Sequence, residues 1–175
     1  KEAAWRRVIA AHPADSSDYW WAQGQIDQLG GAWQDAADAF ARGAAIAVSP
    51  YQFLMQQGGA LENLQHWSDA VAVYRRAVAD RPELLPAYVR LGLISLNGQD
   101  YDAAIDWYQK ALRIAPEQDG IVYSLGLAYY RSGDDATAVR YLRQVVDHDN
   151  SNMWANYYLA QSLDRSGERE QATEY

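Results

Sequence analysis

The sequence has no cysteine, which removes disulfides, thiolate nucleophiles and thiolate metal ligands together. A cysteine-free chain suits the cytosol and the periplasm equally, so its absence does not choose a compartment. Long apolar runs are missing too. No stretch approaches the ~20 residues that span a bilayer, and the opening "KEAAWRRVIAAHP" alternates charge with apolar positions in place of a secretory apolar segment. Direct membrane insertion by these residues is not expected, and the chain reads as soluble. Basic runs are equally lacking. With 15 Lys plus Arg against 23 Asp plus Glu and a net charge of -8, a phosphate backbone meets net repulsion, which argues against nucleic acid as a partner. The first residue is not methionine and the chain stops at "GEREQATEY" inside a helical pattern, so the expectation is a fragment of a longer protein.

Of the 175 residues, 49% are hydrophobic and 22% charged, enough apolar surface for a packed core. Its arrangement is periodic. "WSDAVAVYRRAVADRP", which starts at Trp67, and "YDAAIDWYQKALRIAP", which starts at Tyr101, carry small residues, a ring and a proline at the same offsets. From Ser17 onward that register holds without a gap. Small residues recur at Gly24, Gly58, Gly92, Gly126 and Ala160, and again at Ala36, Ala70, Ala104, Ala138 and Ala172. Large residues keep the same beat at Trp20, Leu54, Tyr88 and Val122, then at Phe40, Tyr74, Tyr108 and Leu142.

Within each unit two apolar stripes follow i, i+3, i+4, i+7 spacing, for example Tyr88, Leu91, Gly92 and Ser95, then Ala104, Ile105, Tyr108, Ala111 and Leu112. That spacing predicts two antiparallel helices joined by a short turn, here "NGQD". Small residues are expected to face each other where the helices cross, with the ring beside them. One such pair cannot cover both of its apolar faces, so equivalent pairs must stack on one another. Paired helices are predicted at 17–30 and 33–47, 51–64 and 67–81, 85–98 and 101–114, 119–132 and 135–148, and 153–166 with a second helix from 169.

The early ring, Leu-Gly, later Ala, ring, Ala and Pro of "YVRLGLISLNGQDYDAAIDWYQKALRIAP" resemble the signature of the tetratricopeptide repeat (TPR), a helix-turn-helix unit with the same period. The resemblance covers essentially the whole chain. It implies an all-α fold, a right-handed α-α superhelix (TPR solenoid) of about four full repeats with partial repeats at both ends. The single array divides into 1–16 (second helix of a truncated repeat), 17–50, 51–84, 85–118 and 119–152 (full repeats) and 153–175 (partial repeat). The match is uneven at its start. Where units three to five supply Leu91, Leu125 and Leu159, the first two carry Gln23 and Gln57, and Asp27 stands where Tyr129 and Leu163 follow the pattern. The expectation is that the two glutamine amides bond to each other or to water.

Little here suggests chemistry. His12, His66 and His148 are scattered across the repeat lattice, and no zinc-protease, nucleophile-elbow or phosphate-loop motif is present. "DHDNSN" places Asp147, Asp149 and Ser151 at alternating positions as calcium ligands would be, but Asn152 stands where glycine is needed and Tyr158 where a bidentate Glu belongs. It reads as an inter-repeat turn with Asn and Asp capping the next helix. Asp134 and Asp135 read as a turn and helix start. No catalytic residue, metal site or cofactor is assigned, and the chain is expected not to be an enzyme.

The TPR resemblance implies a concave groove lined by the first helix of each pair. Its expected lining is Trp21, Met55, Gln56, Val89, Arg90, Leu93, Asn97, Tyr123, Leu127, Tyr130, Arg131, Tyr157, Tyr158 and Arg165. Chaperone-binding members of the family hold a terminal carboxylate with Lys and Asn at such positions. Here only Arg90 could stand in, while Val89, Leu93 and Ala22 occupy places that need polar donors, so a chaperone-tail receptor is disfavoured. The expected function is a non-catalytic module binding a peptide or helix of a partner protein. Two alternatives stay open: self-association into a homo-oligomer through the chain ends, and an accessory arm of a larger machine such as envelope polysaccharide export. Trp33, Trp67 and Tyr101, which start second helices, are expected to wedge within each pair as structural rings.

Overall fold

The computed structural model describes residues 1–175, and every regular element in it is a helix. The chain forms two compact units, Lys1–Ala87 and Tyr88–Tyr175. Unit 1 holds α1 (Glu2–Ala11), α2 (Ser17–Leu29), α3 (Trp33–Ile46), α4 (Tyr51–Asn63) and α5 (Trp67–Asp80). Most of α6 (Leu85–Asn97) lies in unit 2, with α7 (Tyr101–Ile114), α8 (Asp119–Ser132), α9 (Asp135–His148), α10 (Met153–Ser166) and the short α11 (Arg169–Ala172). These bounds agree closely with the sequence periodicity at nearly every helix end. The fold class is the expected all-α helical-repeat solenoid.

Glycine sets how closely the two helices of a pair approach. A Cβ on Gly24 would lie 2.6 Å from the Phe40 ring, on Gly58 2.5 Å from Tyr74, on Gly92 2.7 Å from Tyr108 and on Gly126 2.9 Å from Leu142. Each partner occupies the same register position on the second helix of its pair, and each is almost completely buried. The residue opposite the glycine is therefore the large side chain, where the sequence pattern suggested the alanine. The alanines Ala36, Ala70, Ala104 and Ala138 are themselves fully buried. The space saved by the missing Cβ is filled by a large apolar group, which gives both close approach and apolar burial.

The turn within each pair repeats as faithfully. Gly31, Gln65, Gln99, Gly133 and Gly167 occupy one register position, and all have positive φ, between 60° and 91°. One residue later a backbone N–H reaches back to close the helix. Ala32 donates to the Asp27 carbonyl at 2.8 Å, His66 to Leu61 at 2.9 Å, Asp100 to Ser95 at 2.9 Å, Asp134 to Tyr129 at 3.0 Å and Glu168 to Leu163 at 2.8 Å. This is the Schellman arrangement, in which a left-handed residue satisfies the last orphan carbonyls of a helix. Glycine takes that conformation without strain, whereas Gln65 and Gln99 hold it at a steric cost.

Caps then start the next helix. The carboxylates of Asp100 and Asp134 accept from the backbone N–H of Ala103 and Thr137, and the Asn152 amide oxygen accepts from that of Ala155. The "DHDNSN" segment is thus a turn. Asp149 accepts from the Ser151 hydroxyl and backbone N–H, which holds its carboxyl below the ordinary range.

Two expectations need correction. Gln23 does not meet Gln57. Its amide donates to Asp27 one helical turn away at 2.8 Å, while the Gln57 side-chain oxygen is buried with no hydrogen-bond partner. The reason is local: an i, i+4 partner on the same helix is within reach of Gln23, and Gln57 has Leu61 at that offset. Trp67 is 48% exposed, so it is not the internal wedge that its position suggested. On the second helices, Lys110 pairs with Asp106 and lies over the Trp107 ring, and Arg143 donates to Gln171.

An unpaired buried amide oxygen costs about 1–3 kcal/mol, and leucine fills this column in the third to fifth repeats. Gln57→Leu is expected to raise stability by that order in urea denaturation, with unchanged helical circular dichroism.

Candidate functional site

Every first helix of a pair carries predicted site residues, and the two units treat them differently. In unit 1, the Trp21 ring stands edge-on to Phe40 at 5.7 Å and to Phe53 at 5.1 Å, which fixes it within the packing of α2, α3 and α4. Gln56 accepts from the Gln28 amide at 3.3 Å, and Met55 is half-buried beside it. Trp21 and Gln56 are consequently part of the structure that holds α2 against α4.

In unit 2, the predicted residues of α8 and α10 come together. Tyr158 is the hub. Its ring centroid lies 5.1 Å from Tyr130, 5.1 Å from Tyr157, 6.3 Å from Trp154 and 6.4 Å from Tyr123. Tyr157 and Trp154 pack perpendicular to one another at 6.2 Å. The inner rings are half-buried, but Trp154 is 56% exposed, Tyr157 50% and the neighbouring Met153 68%. Trp154 and Met153 adjoin these rings but are absent from the expected groove lining, because they lie about one turn before Tyr157 at the start of α10. The signal was available in their apolar character at the start of a first helix.

Two arginines flank these rings and differ in their surroundings. Arg165 is engaged within the unit: its guanidinium pairs with Asp135 at 3.1 Å and lies 4.7 Å over the Tyr130 ring. Asp135 keeps only 14% of its side-chain exposure, and its second carboxylate oxygen has no partner. Arg131, at the end of α8, is exposed, and its neighbours are phenols. The Tyr158 phenol stands close to it, with Tyr101 and Tyr130 nearby, and this environment holds its pKa above the ordinary value. Arg131 also borders a cleft of about 200 Å³ with Leu96, Asn97, Gln99, Tyr101 and Leu127. Burial raises the Tyr123 hydroxyl, reinforced by Tyr158 and opposed by Arg131. Of the remaining predicted residues, Val89 and Arg90 are half-buried, while Leu93 is exposed on the same helix.

This arrangement supplies apolar rings, phenol and amide donors and one guanidinium. It suits recognition of a chain segment. In unit 1, a separate cleft gathers Trp20, Gln23, Asp27, Asp35, Asp38, Ala39 and Arg42. There burial raises the Asp27 carboxyl, Asp35 adds to the shift, and the Gln23 hydrogen bond opposes it.

Profiles described as Tetratricopeptide repeat match residues 55–119 and 122–149, together more than half of the chain. Among curated proteins, the chain is 28% identical over 124 residues to the general transcriptional corepressor ssn6 of Schizosaccharomyces pombe. That match spans 69% of this chain and 11% of that protein. It is 28% identical over 100 residues to the Hsp70-Hsp90 organizing protein of Triticum aestivum, covering 57% of this chain and 17% of that protein. To the photosystem I assembly protein Ycf3 of Prochlorococcus marinus it is 30% identical over 105 residues, covering 57% of this chain and 56% of that protein. The chain thus spans less than two thirds of the length of these relatives. Among solved structures, MamA (residues 41 to the end) from Desulfovibrio magneticus RS-1 superposes with a TM-score of 0.81 at 24% identity, covering 92% of this chain and 91% of that one. A further MamA crystal structure gives 0.84 at 19% identity, covering 93% and 89%. At such identities the likeness shows the fold alone.

The raised Asp27 pKa carries a sign. A carboxyl whose folded pKa lies above its unfolded value binds its proton more tightly in the native state. It therefore favours folding below the unfolded value, about 3.8, and that contribution is lost as pH rises through the folded pKa. Asp27→Asn keeps the acceptor for Gln23 and removes the titration. Its melting temperature is expected to exceed that of wild type by more at pH 7 than at pH 3.5, as thermal melts at the two values would show.

Proposed function

Because the chain belongs to the tetratricopeptide repeat family, a family of helical-repeat protein-interaction modules, we propose that it is a non-catalytic binding module whose unit 2 holds a peptide or helix of a partner protein. The proposed site is the face built from α8 and α10: Tyr123, Leu127, Tyr130 and Arg131 with Tyr157, Tyr158 and Arg165. Leu93 and Asn97 of α6 extend it, and Val89 and Arg90 lie half-buried on the same helix. One observation carries the reading. The rings of Trp154 and Tyr157 stand half in solvent and are continuous, through Tyr158, with a half-buried tyrosine cluster. An apolar surface of this kind on a protein marks a contact site, and aromatic and arginine side chains dominate such contacts.

The relatives support the reading in kind: their names describe a corepressor, an organizing protein and an assembly protein. In unit 1 the corresponding residues Trp21, Met55 and Gln56 are proposed as a supporting surface, since Trp21 and Gln56 are held by internal contacts. No helix of the chain is long and apolar enough to cross a membrane.

An array of peptides probed with wild type and with the Trp154→Ala/Tyr157→Ala variant tests the site. Both side chains are exposed, so the variant is expected to keep wild-type circular dichroism and to lose binding by about tenfold or more on the peptides that wild type retains. Equal binding by the two proteins would remove this face as the site.

A further inference from the structure

We infer that the segment bound by unit 2 is an extended peptide carrying a side-chain carboxylate and an aromatic ring a few positions apart, the carboxylate on Arg131 and the ring on Trp154 and Tyr157. This rests on the reading of the α8 and α10 face as a peptide site, and goes further by stating what the peptide must contain.

The charge argument comes from how the arginines are used. Arg165 already has its carboxylate in Asp135 and its ring in Tyr130. Arg131 is exposed, and the groups that act on it are tyrosines: the Tyr158 phenol beside it, and Tyr101 and Tyr130 close by. A guanidinium presents a planar fork of donors matched to a carboxylate. The cleft that Arg131 borders is small, about 200 Å³, and adds the amides of Asn97 and Gln99 and the phenol of Tyr101. It has room for a short acidic side chain and supplies only donors and neutral groups to it. The chain as a whole is acidic, with a net charge of -8, so an acidic peptide is drawn to this place and repelled elsewhere.

The ring argument comes from the perpendicular pairs. Trp154 with Tyr157 meets at 86°, and Tyr157 with Tyr158 at 76°. Rings set edge-to-face leave notches that a further ring can enter with the same preferred geometry. Tyr158 belongs to both subsites. It touches Tyr157 at 5.1 Å between centroids, and its phenol stands close to Arg131. Adding a phenol and a close polar contact, the guanidinium lies within roughly 13 Å of the Tyr157 ring, which an extended chain covers in about three to four residues.

The test uses fluorescein-labelled decapeptides of Gly and Ser carrying one Glu and one Trp three positions apart, with Glu→Gln and Trp→Ala versions, measured by anisotropy against the whole chain and its Arg131→Gln variant. On wild type, each replacement is expected to weaken binding by about tenfold or more. On Arg131→Gln the Glu and Gln peptides are expected to bind alike, while Trp→Ala still weakens binding. Tyr158→Phe, which keeps the ring and removes the hydroxyl, is expected to reduce the preference for Glu over Gln without abolishing binding. Equal binding of the Glu and Gln peptides to wild type, or an equal loss of both on Arg131→Gln, would overturn the inference. Array peptides that bind this face without needing a carboxylate would overturn it alone and leave the peptide site standing. Binding by no peptide of either set would remove both. A dimer in sedimentation velocity that Arg131→Gln abolishes would also overturn it, since the occupant would then be a second copy of this chain.

Discussion

Everything in the molecule depends on a missing methyl group. In each of the four complete helix pairs a glycine of the first helix lies against a buried side chain of the second, a ring in three pairs and leucine in the fourth. The close approach gives that side chain somewhere to go, and its burial supplies the apolar free energy that a two-helix unit otherwise lacks. Tyr108 shows how the same group also reaches onward. Its ring packs on Gly92, and its hydroxyl stands beside the Ser124 side chain on the following helix. Burial pushes that hydroxyl up to about 12, so it stays protonated throughout the physiological range. The pairing contact within one repeat and the docking of the next are therefore made by one residue.

Regularity at this level is what frees the exposed face. The left-handed turn residue, the back-reaching N–H and the capping carboxylate recur at fixed positions and consume the polar groups of the helix ends. The residues on the outward side of the first helices then have no structural duty in common. In unit 1 they are spent on local packing around Trp21, and in unit 2 they assemble the tyrosines around Tyr158. The same lattice position therefore serves different ends in different repeats.

The lattice was legible in the sequence because its constraints are local and periodic. Helix bounds, the turn at Asp134, the cap at Asn152 and the glycine column all follow from spacing alone. What spacing did not disclose depends on partners remote in sequence or on a choice among near neighbours. Gln23 and Gln57 share a column, yet one has Asp27 a turn away and the other has Leu61. Gln65 and Gln99 hold a conformation that glycine fills in the other three turns, and only the register of the repeat could have pointed to it. Arg131 and Arg165 share one register position, and spacing does not tell them apart. Arg165 is committed to Asp135, on the preceding helix α9, while Arg131 faces phenols.

The contact between glycine and ring is most directly tested by making one substitution in two backgrounds. Alanine favours a helix over glycine by about 1 kcal/mol, so Gly92→Ala stabilises unless the Tyr108 ring blocks the new methyl. Urea denaturation of Gly92→Ala is expected to show a loss of about 1–3 kcal/mol in the native background. With Tyr108→Val, whose side chain is too short to reach, the same change is expected to give a gain of about 1 kcal/mol. A change of the same sign and size in both backgrounds would contradict the account.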